Sequence, residues 1–241
     1  MNYWQLLKKN TPVLVFGYLL NVFSSFGQTY VHAQFVPEII ASFGFTNTSF
    51  GSIYAAATLG GGLSLIYFGK LIDEYPLRTY TLAAVSVLGL ACLMIGLAEN
   101  SWVLLLALFL NRLSGQGLLT HISLTTIARN FSKLRGKALS IAVLGHSTGQ
   151  AIFPVTLAVL IGAAGWRTAS VLDAAFILLV LLPVVWWLTR KPFVVNEQAD
   201  GEPAAGPAVN TQRQWTRRQV LGDYRLYLLV PAIFTTHFLV T

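Results

Sequence analysis

Charge is scarce in this sequence. Asp, Glu, Lys and Arg together make up 10% of its 241 residues, against roughly 25% in an ordinary soluble domain. With 55% hydrophobic residues, that scarcity excludes a conventional soluble globule and points to a chain whose solvent is lipid. Cysteine is nearly absent too: Cys92 stands alone in an apolar stretch, so neither a disulfide framework nor a thiolate metal site can be built within one chain. No Gly-x-x-x-x-Gly-Lys-[Ser/Thr] loop is present to hold a nucleotide. The apolar segments also lack a His/Asp/Glu cluster with metal-ligand spacing and a Ser/His/Asp set at compatible depths, so neither an enzyme, a cofactor nor a metal site is expected.

What is present is a series of long apolar runs. A bilayer core of about 30 Å needs about 20 apolar residues per helix, and six segments qualify: 12–36, 49–68, 80–97, 101–128, 139–163 and 168–188. The first run is too long for the core of a cleavable signal peptide, and no small-residue cleavage site follows it. Residues 192–225, containing NEQADGEPAAGPAVNTQRQ, are poor in large apolar side chains and read as a flexible cytoplasmic linker. A seventh apolar run occupies 226–241. Six crossings (1–191), a linker and the start of another crossing read as one half of a larger protein.

The formal charge of +7 invites a nucleic-acid reading, but the positions of the basic residues argue against it. Every one of the 16 Lys and Arg except Arg112 and Arg167 falls on one side of the expected membrane. That asymmetry is a topology signal, and it places the N-terminus in the cytoplasm of an integral, multi-pass protein of a cytoplasmic (inner) membrane.

Charge is compressed in GKLIDEYPLR, residues 69–78, the loop between the second and third crossings. Gly69, Leu71, Asp73 and Arg78 match the loop signature of the major facilitator superfamily, while Glu74, Pro76 and Leu77 depart from it. NRLSGQG in crossing 4 (Arg112, Gly115, Gly117), RGKALSI and GHSTGQAIFP along crossing 5, and GWR before crossing 6 resemble the same family. The resemblance implies an all-α six-helix bundle of 3+3 inverted repeats that acts with a second six-helix half by alternating access. It also implies that helices 1 and 4 line a central cavity, and that the loop is a gating latch built here from Gly69, Asp73 and Arg78 or Arg129.

The residues themselves mark the same two crossings. On a continuous helix Asn21, Ser25, Gln28 and His32 share one face, as do Arg112, Gln116, Thr120 and Ser123. Such groups are expected to face protein or water, since exposure to lipid would cost several kcal/mol each. Arg112 falls about 16 Å into its span at 1.5 Å per residue, a permanent positive charge at mid-depth. Two readings stand side by side: capture of a carboxylate or other anion, and hydrogen bonding to backbone carbonyls. Substrate contacts are therefore expected from Arg112, Gln28, His32, Asn21 and Gln116. His121, His146 and Asp173, the one carboxylate well inside a span, are candidates for proton coupling; the alternative is hydrogen-bonded packing for each histidine, and for Asp173 a role near the outer interface or pairing with a neighbouring helix.

These features predict secondary active transport of a small solute, most simply a small organic anion, driven by a proton or solute gradient. The alternatives are a multidrug/proton antiporter and a non-transporting membrane receptor. The partners expected are a small-molecule substrate, the lipid bilayer and a second six-helix half, with no nucleic acid.

Overall fold

The computed structural model describes residues 2–197 and, beyond them, Gly222, Tyr224, Tyr227 and Pro231. The chain divides into two compact units after Asp200, and the description that follows concerns the first. The linker beyond 197 and the expected seventh crossing, those four positions apart, lie outside the described residues.

All the elements described are helical. A short helix α1 (Tyr3–Lys9) precedes α2 (Thr11–Phe23), α3 (Thr29–Phe43), α4 (Asn47–Phe68) and α5 (Leu77–Gly96). The fourth crossing consists of α6 (Ser101–Asn111), a π-helical segment (Arg112–Leu119) and α7 (Thr120–Asn130). Next comes α8 (Arg135–Ala164), then the sixth crossing as α9 (Trp166–Phe176), a π turn (Ile177–Leu181) and α10 (Leu182–Leu188). Five of these stretches are long and apolar enough to cross a membrane.

Local chemistry sets the helix starts. Asn2 forms a capping box with Gln5, Thr46 forms one with Ser49, and the Asn100 carboxamide accepts from the N–H groups of Trp102 and Val103. Gly44, at φ 65°, reverses the chain between α3 and α4.

The first crossing differs from the continuous helix expected over 12–36. It is two helices joined by a 3₁₀ turn, Ser24–Gly27, and by an extended Gln28 (φ −91°, ψ 153°). Two local features favour the break. The Ser24 hydroxyl donates to the Asn21 carbonyl at 2.7 Å, which competes with the backbone ladder. Gly27 also brings the chain against crossing 4 where no side chain fits: a Cβ there would stand 2.4 Å from the Gln116 nitrogen and 2.7 Å from the Asn111 carbonyl oxygen. Gly115 faces it with equal closeness, 2.7 Å from Gly27 Cα. The two crossings thus meet backbone to backbone, and each departs from α-helical geometry at the contact.

Packing radiates from this crossing point. One core cluster holds Phe16, Leu88, Leu119, Ile122 and Ile177, drawn from crossings 1, 3, 4 and 6. A second surrounds Leu104, Leu108 and Ala169, and a third, at the basic end, joins Leu6, Val13, Ile127, Phe131 and Ala142. Crossing 5 docks on crossing 1 through Gly145 and Gly149, where a Cβ would stand 2.3 Å from the Tyr18 carbonyl oxygen and 2.0 Å from Ser25 Oγ respectively.

Beyond α10 the chain turns back as a strap, residues 192–197, the first stretch of what reads in sequence as linker. Phe193 packs on Phe16 with ring centroids 5.2 Å apart. Asn196 and Asn10 exchange two hydrogen bonds, of 2.7 and 2.9 Å. The Glu197 carboxylate accepts from the N–H groups of Ser132, Lys133 and Leu134 and from the Ser132 hydroxyl, all at 2.7–3.2 Å, beside the N-terminus of α8. Partial burial alone would raise the Glu197 carboxyl, but these four hydrogen bonds outweigh it and hold it below the usual carboxylate range.

Two expectations follow. Gly27→Ala is expected to destabilise the protein by about 1–3 kcal/mol through overpacking, whereas Gly62→Ala, with nothing within 4 Å of its Cβ, stays near neutral; thermal unfolding in detergent compares them. For the strap the sign is fixed by the lowered carboxyl. Its contribution is present above the ordinary carboxylate range and lost as pH falls through the still lower folded-state value. Protection of the Ser132–Leu134 amides from hydrogen exchange, taken relative to the intrinsic rate at the same pH, should therefore be high at neutral pH, lost in acid below the ordinary carboxylate range, and low at neutral pH in Glu197→Gln.

Candidate functional site

Arg112 opens the π segment of crossing 4 and is 6% exposed. The break in crossing 1 decides what it binds. The N–H groups of Val31 and His32 both go to the Gln28 carbonyl, so the carbonyl of Gly27 lies outside the helical ladder. Arg112 Nη1 donates to that carbonyl at 2.9 Å and to Thr29 Oγ1 at 3.3 Å. Its guanidinium carbon sits 5.3 Å from the centre of the Tyr54 ring, contributed by α4. The Tyr54 hydroxyl donates in turn to Thr29 Oγ1 at 3.3 Å. Arg112 Nε is buried without a partner, and among the described residues no carboxylate pairs with the guanidinium.

A polar chain runs away from this centre. His32 meets the Tyr54 ring edge-on at 5.7 Å, and its Nε2 lies 3.0 Å from Asn111 Oδ1. The Asn111 amide nitrogen donates to Cys92 Sγ at 3.3 Å, which leaves its oxygen as acceptor and makes His32 Nε2 the protonated nitrogen. Asp173, 9% exposed, lies within electrostatic reach of Cys92. Its carboxyl has no hydrogen-bond partner among the described residues.

The rows expected on crossings 1 and 4 do not form two continuous faces. Asn21 is buried in the seam between the crossings, with Nδ2 donating to Ser123 Oγ at 2.6 Å and to the Gly17 carbonyl at 3.1 Å. Ser123 donates to the same carbonyl at 2.7 Å. Ser25 accepts from the Tyr30 hydroxyl. Gln28 is half-buried, while Gln116 and Thr29 are exposed. The physical reason in crossing 1 is the extended residue at 28 and in crossing 4 the π-helical segment Arg112–Leu119, each of which shifts the helical phase, so positions spaced for a continuous α-helix no longer share a face.

At the basic end Asp73 pairs with Arg129, joining the loop to the end of crossing 4. Arg78 instead lies over the Trp186 ring at 5.1 Å. His121 Nε2 is 3.0 Å from the Gly69 carbonyl, and since a carbonyl only accepts, the histidine donates. This gives the loop a second tie to crossing 4. His146, half-buried on α8, meets the Tyr30 ring edge-on at 5.8 Å.

Tyr54, Thr29 and Asn111 escape the sequence reading. Thr29 lies off the polar face of an unbroken helix and joins the site only after the break. Asn111 directly precedes Arg112, and that adjacency was its one available signal. Tyr54 offers none until its ring is seen beneath the guanidinium.

An all-α membrane bundle whose first and fourth crossings are both distorted at a shared polar centre is the architecture of a multi-pass carrier. The Major Facilitator Superfamily model matches residues 16–241, and the chain belongs to that family. A comparison with curated proteins finds no match. Membership makes the chain an integral membrane protein of the secondary-transporter kind, with a small-molecule substrate.

The Asn21–Ser123 contact is open to a double-mutant cycle. Asn21→Ala and Ser123→Ala should couple by about 0.6 kcal/mol and by no more than about 1.7 kcal/mol, the range for hydrogen bonds between membrane helices. Reversible unfolding in mixed micelles reads the coupling, and additive effects would remove the bond from the account of the seam.

Proposed function

We propose that the protein carries a small organic anion by alternating access, with Arg112 as the positive centre that the anion neutralises. The observation that carries this reading is a buried guanidinium held, among the described residues, by a carbonyl, a hydroxyl and an aromatic face, with no carboxylate of those residues paired to it. Dipoles orient such a charge without cancelling it, and an uncompensated charge inside a membrane protein is costly. A bound carboxylate would supply the missing countercharge, and the unpartnered Nε is a donor still available to it. Gln28 and Gln116 are the polar groups near this centre left open for neutral contacts. Asn21 and His32 support the site from within the bundle.

In this reading a second six-helix bundle supplies the opposite wall, and a proton or solute gradient drives the cycle. Asp173 is the foremost proton-coupling candidate, being buried and without a hydrogen-bond partner among the described residues. His121 and His146 hold contacts that serve packing. The ties of Asp73 to Arg129 and of Gly69 to His121 act as the latch of the basic end, which faces the cytoplasm with the N-terminus.

Arg112→Gln should weaken uptake of radiolabelled carboxylates into proteoliposomes by about 10- to 100-fold, the worth of a charged hydrogen bond, while Arg112→Lys retains part of it. Thermal unfolding of both variants separates loss of the Gly27 contact from loss of substrate binding. Carboxylate transport unchanged in a folded Arg112→Gln protein would overturn the anion site. Dye efflux in its place would favour a multidrug/proton antiporter, and ligand binding without movement a receptor.

A further inference from the structure

The contacts of Arg112 divide its guanidinium into a used and an unused part. Nη1 is committed to the Gly27 carbonyl at 2.9 Å and to Thr29 Oγ1 at 3.3 Å, whereas Nε is buried without a partner. With Nη1 taken, the edge that Nε forms with Nη2 is the one that offers a carboxylate two parallel N–H bonds. Hydrogen bonds to Nη1 fix one corner of this planar group but leave it free to swing about that corner. A contact with its face removes the swing, and the face contact comes from the Tyr54 ring, 5.3 Å from the guanidinium carbon.

Tyr54 is itself held on three sides. Its hydroxyl donates to Thr29 Oγ1 at 3.3 Å, so ring and guanidinium share one acceptor. His32 meets the ring edge-on at 5.7 Å, and Phe50, one turn earlier on α4, stacks on it at 6.1 Å and 22°. Tyr54, Ala57 and Gly61 are spaced three and four apart and so lie on one face of α4. Ala57 is buried on that face. At Gly61 a Cβ would stand 3.3 Å from Arg112 Cβ and from the Leu113 nitrogen. Crossing 2 therefore touches Arg112 at both ends, with Gly61 at the stem and Tyr54 at the head.

We propose that Tyr54 is a positioning residue of the anion site: its ring fixes the plane of the guanidinium and so aims the Nε edge at an incoming carboxylate. The role given to the aimed edge rests on the anion reading of Arg112; the hold on the guanidinium rests on the contacts above. A carboxylate binds in the plane of a guanidinium and the ring lies on its face, so the two do not compete for room. An electron-rich ring that acted as a rival to the anion would have the opposite effect on affinity, and the sign of that effect separates the two roles.

The test uses the full chain in neutral detergent. Its first readout needs no substrate: labelling of Arg112 by phenylglyoxal, resolved by peptide mass spectrometry. Tyr54→Leu should speed labelling by about 5- to 30-fold, the worth of a desolvated cation–π contact. Tyr54→Phe keeps the ring and loses one hydrogen bond between crossings, so its change should stay within about threefold. Phenylalanine carrying one, two or three ring fluorines at position 54 keeps the shape of the ring while draining negative charge from its face, and labelling should rise at each step. A side chain that merely fills space does not respond to that series, which also covers the case in which Tyr54→Leu misfolds. Equal labelling across the fluorine series, or Tyr54→Phe as fast as Tyr54→Leu, would overturn the proposal.

The second readout is protection of Arg112 from the same reagent by sodium succinate. Half-protection should require more succinate at each added fluorine; less succinate at each step would make the ring a rival of the anion and overturn the positioning role. No protection in the unaltered protein, with the labelling series intact, would remove the anion reading and leave Tyr54 as the group that holds the guanidinium, so the two failures are told apart.

Discussion

The contact between the Arg112 guanidinium and the Gly27 carbonyl is the constraint on which the rest of the structure depends. A helix broken inside a membrane leaves a carbonyl without its ladder partner, and that carbonyl must find a donor within the protein. An arginine buried in a membrane must likewise find acceptors. Each difficulty resolves the other: crossing 4 supplies the donor and crossing 1 the acceptor. The Gly27–Gly115 approach brings them within 2.9 Å. Remove either member and the other is left buried without its partner, which is why the site and the fold cannot be separated at this point.

Around that contact the polar groups divide into two kinds. Asn21, Ser123, His32 and Asn111 are buried and paired with one another or with backbone and sulfur. They specify how crossings 1, 3 and 4 sit together, since in a lipid solvent apolar contact alone does not select one arrangement. Gln28, half-buried, and Gln116, exposed, flank that contact in sequence and remain open. Arg112 belongs to both groups, tied through Nη1 and unpaired at Nε. An element that is anchored and still has a donor to offer is suited to respond to a ligand without losing its place in the bundle.

The basic end follows a different logic, because water is available there. Its ties are the exposed Asp73–Arg129 pair and the Glu197 contact with three backbone N–H groups. The first should be worth little in stability, being screened on both sides, and its value is positional: with His121 on Gly69 it fixes the loop to crossing 4. The second closes the strap over the ends of crossings 1 and 5, so the chain leaves the bundle from a fixed place.

Most of the architecture was legible in sequence because the bilayer imposes length and hydrophobicity on every crossing. Five crossings could be read as continuous helices for that reason, and the loop motif with its neighbours in crossings 4 and 5 carried the family. The polar rows were legible as residues but not as faces. Their geometry assumed an unbroken helix, whereas residues 24–28 leave helical phase under the combined influence of a serine hydroxyl, a glycine contact and an arginine from another crossing. Tyr54 and Asn111 were invisible for the same reason, their roles existing only across helices. By itself, then, the sequence determined that the chain lives in a membrane and which residues are too polar to face lipid, because these depend on composition along one helix at a time. Only the tertiary structure decided which of those polar groups are consumed in holding helices together and which stay open, because a hydrogen bond between crossings depends on the phase, depth and closeness of two backbones at once.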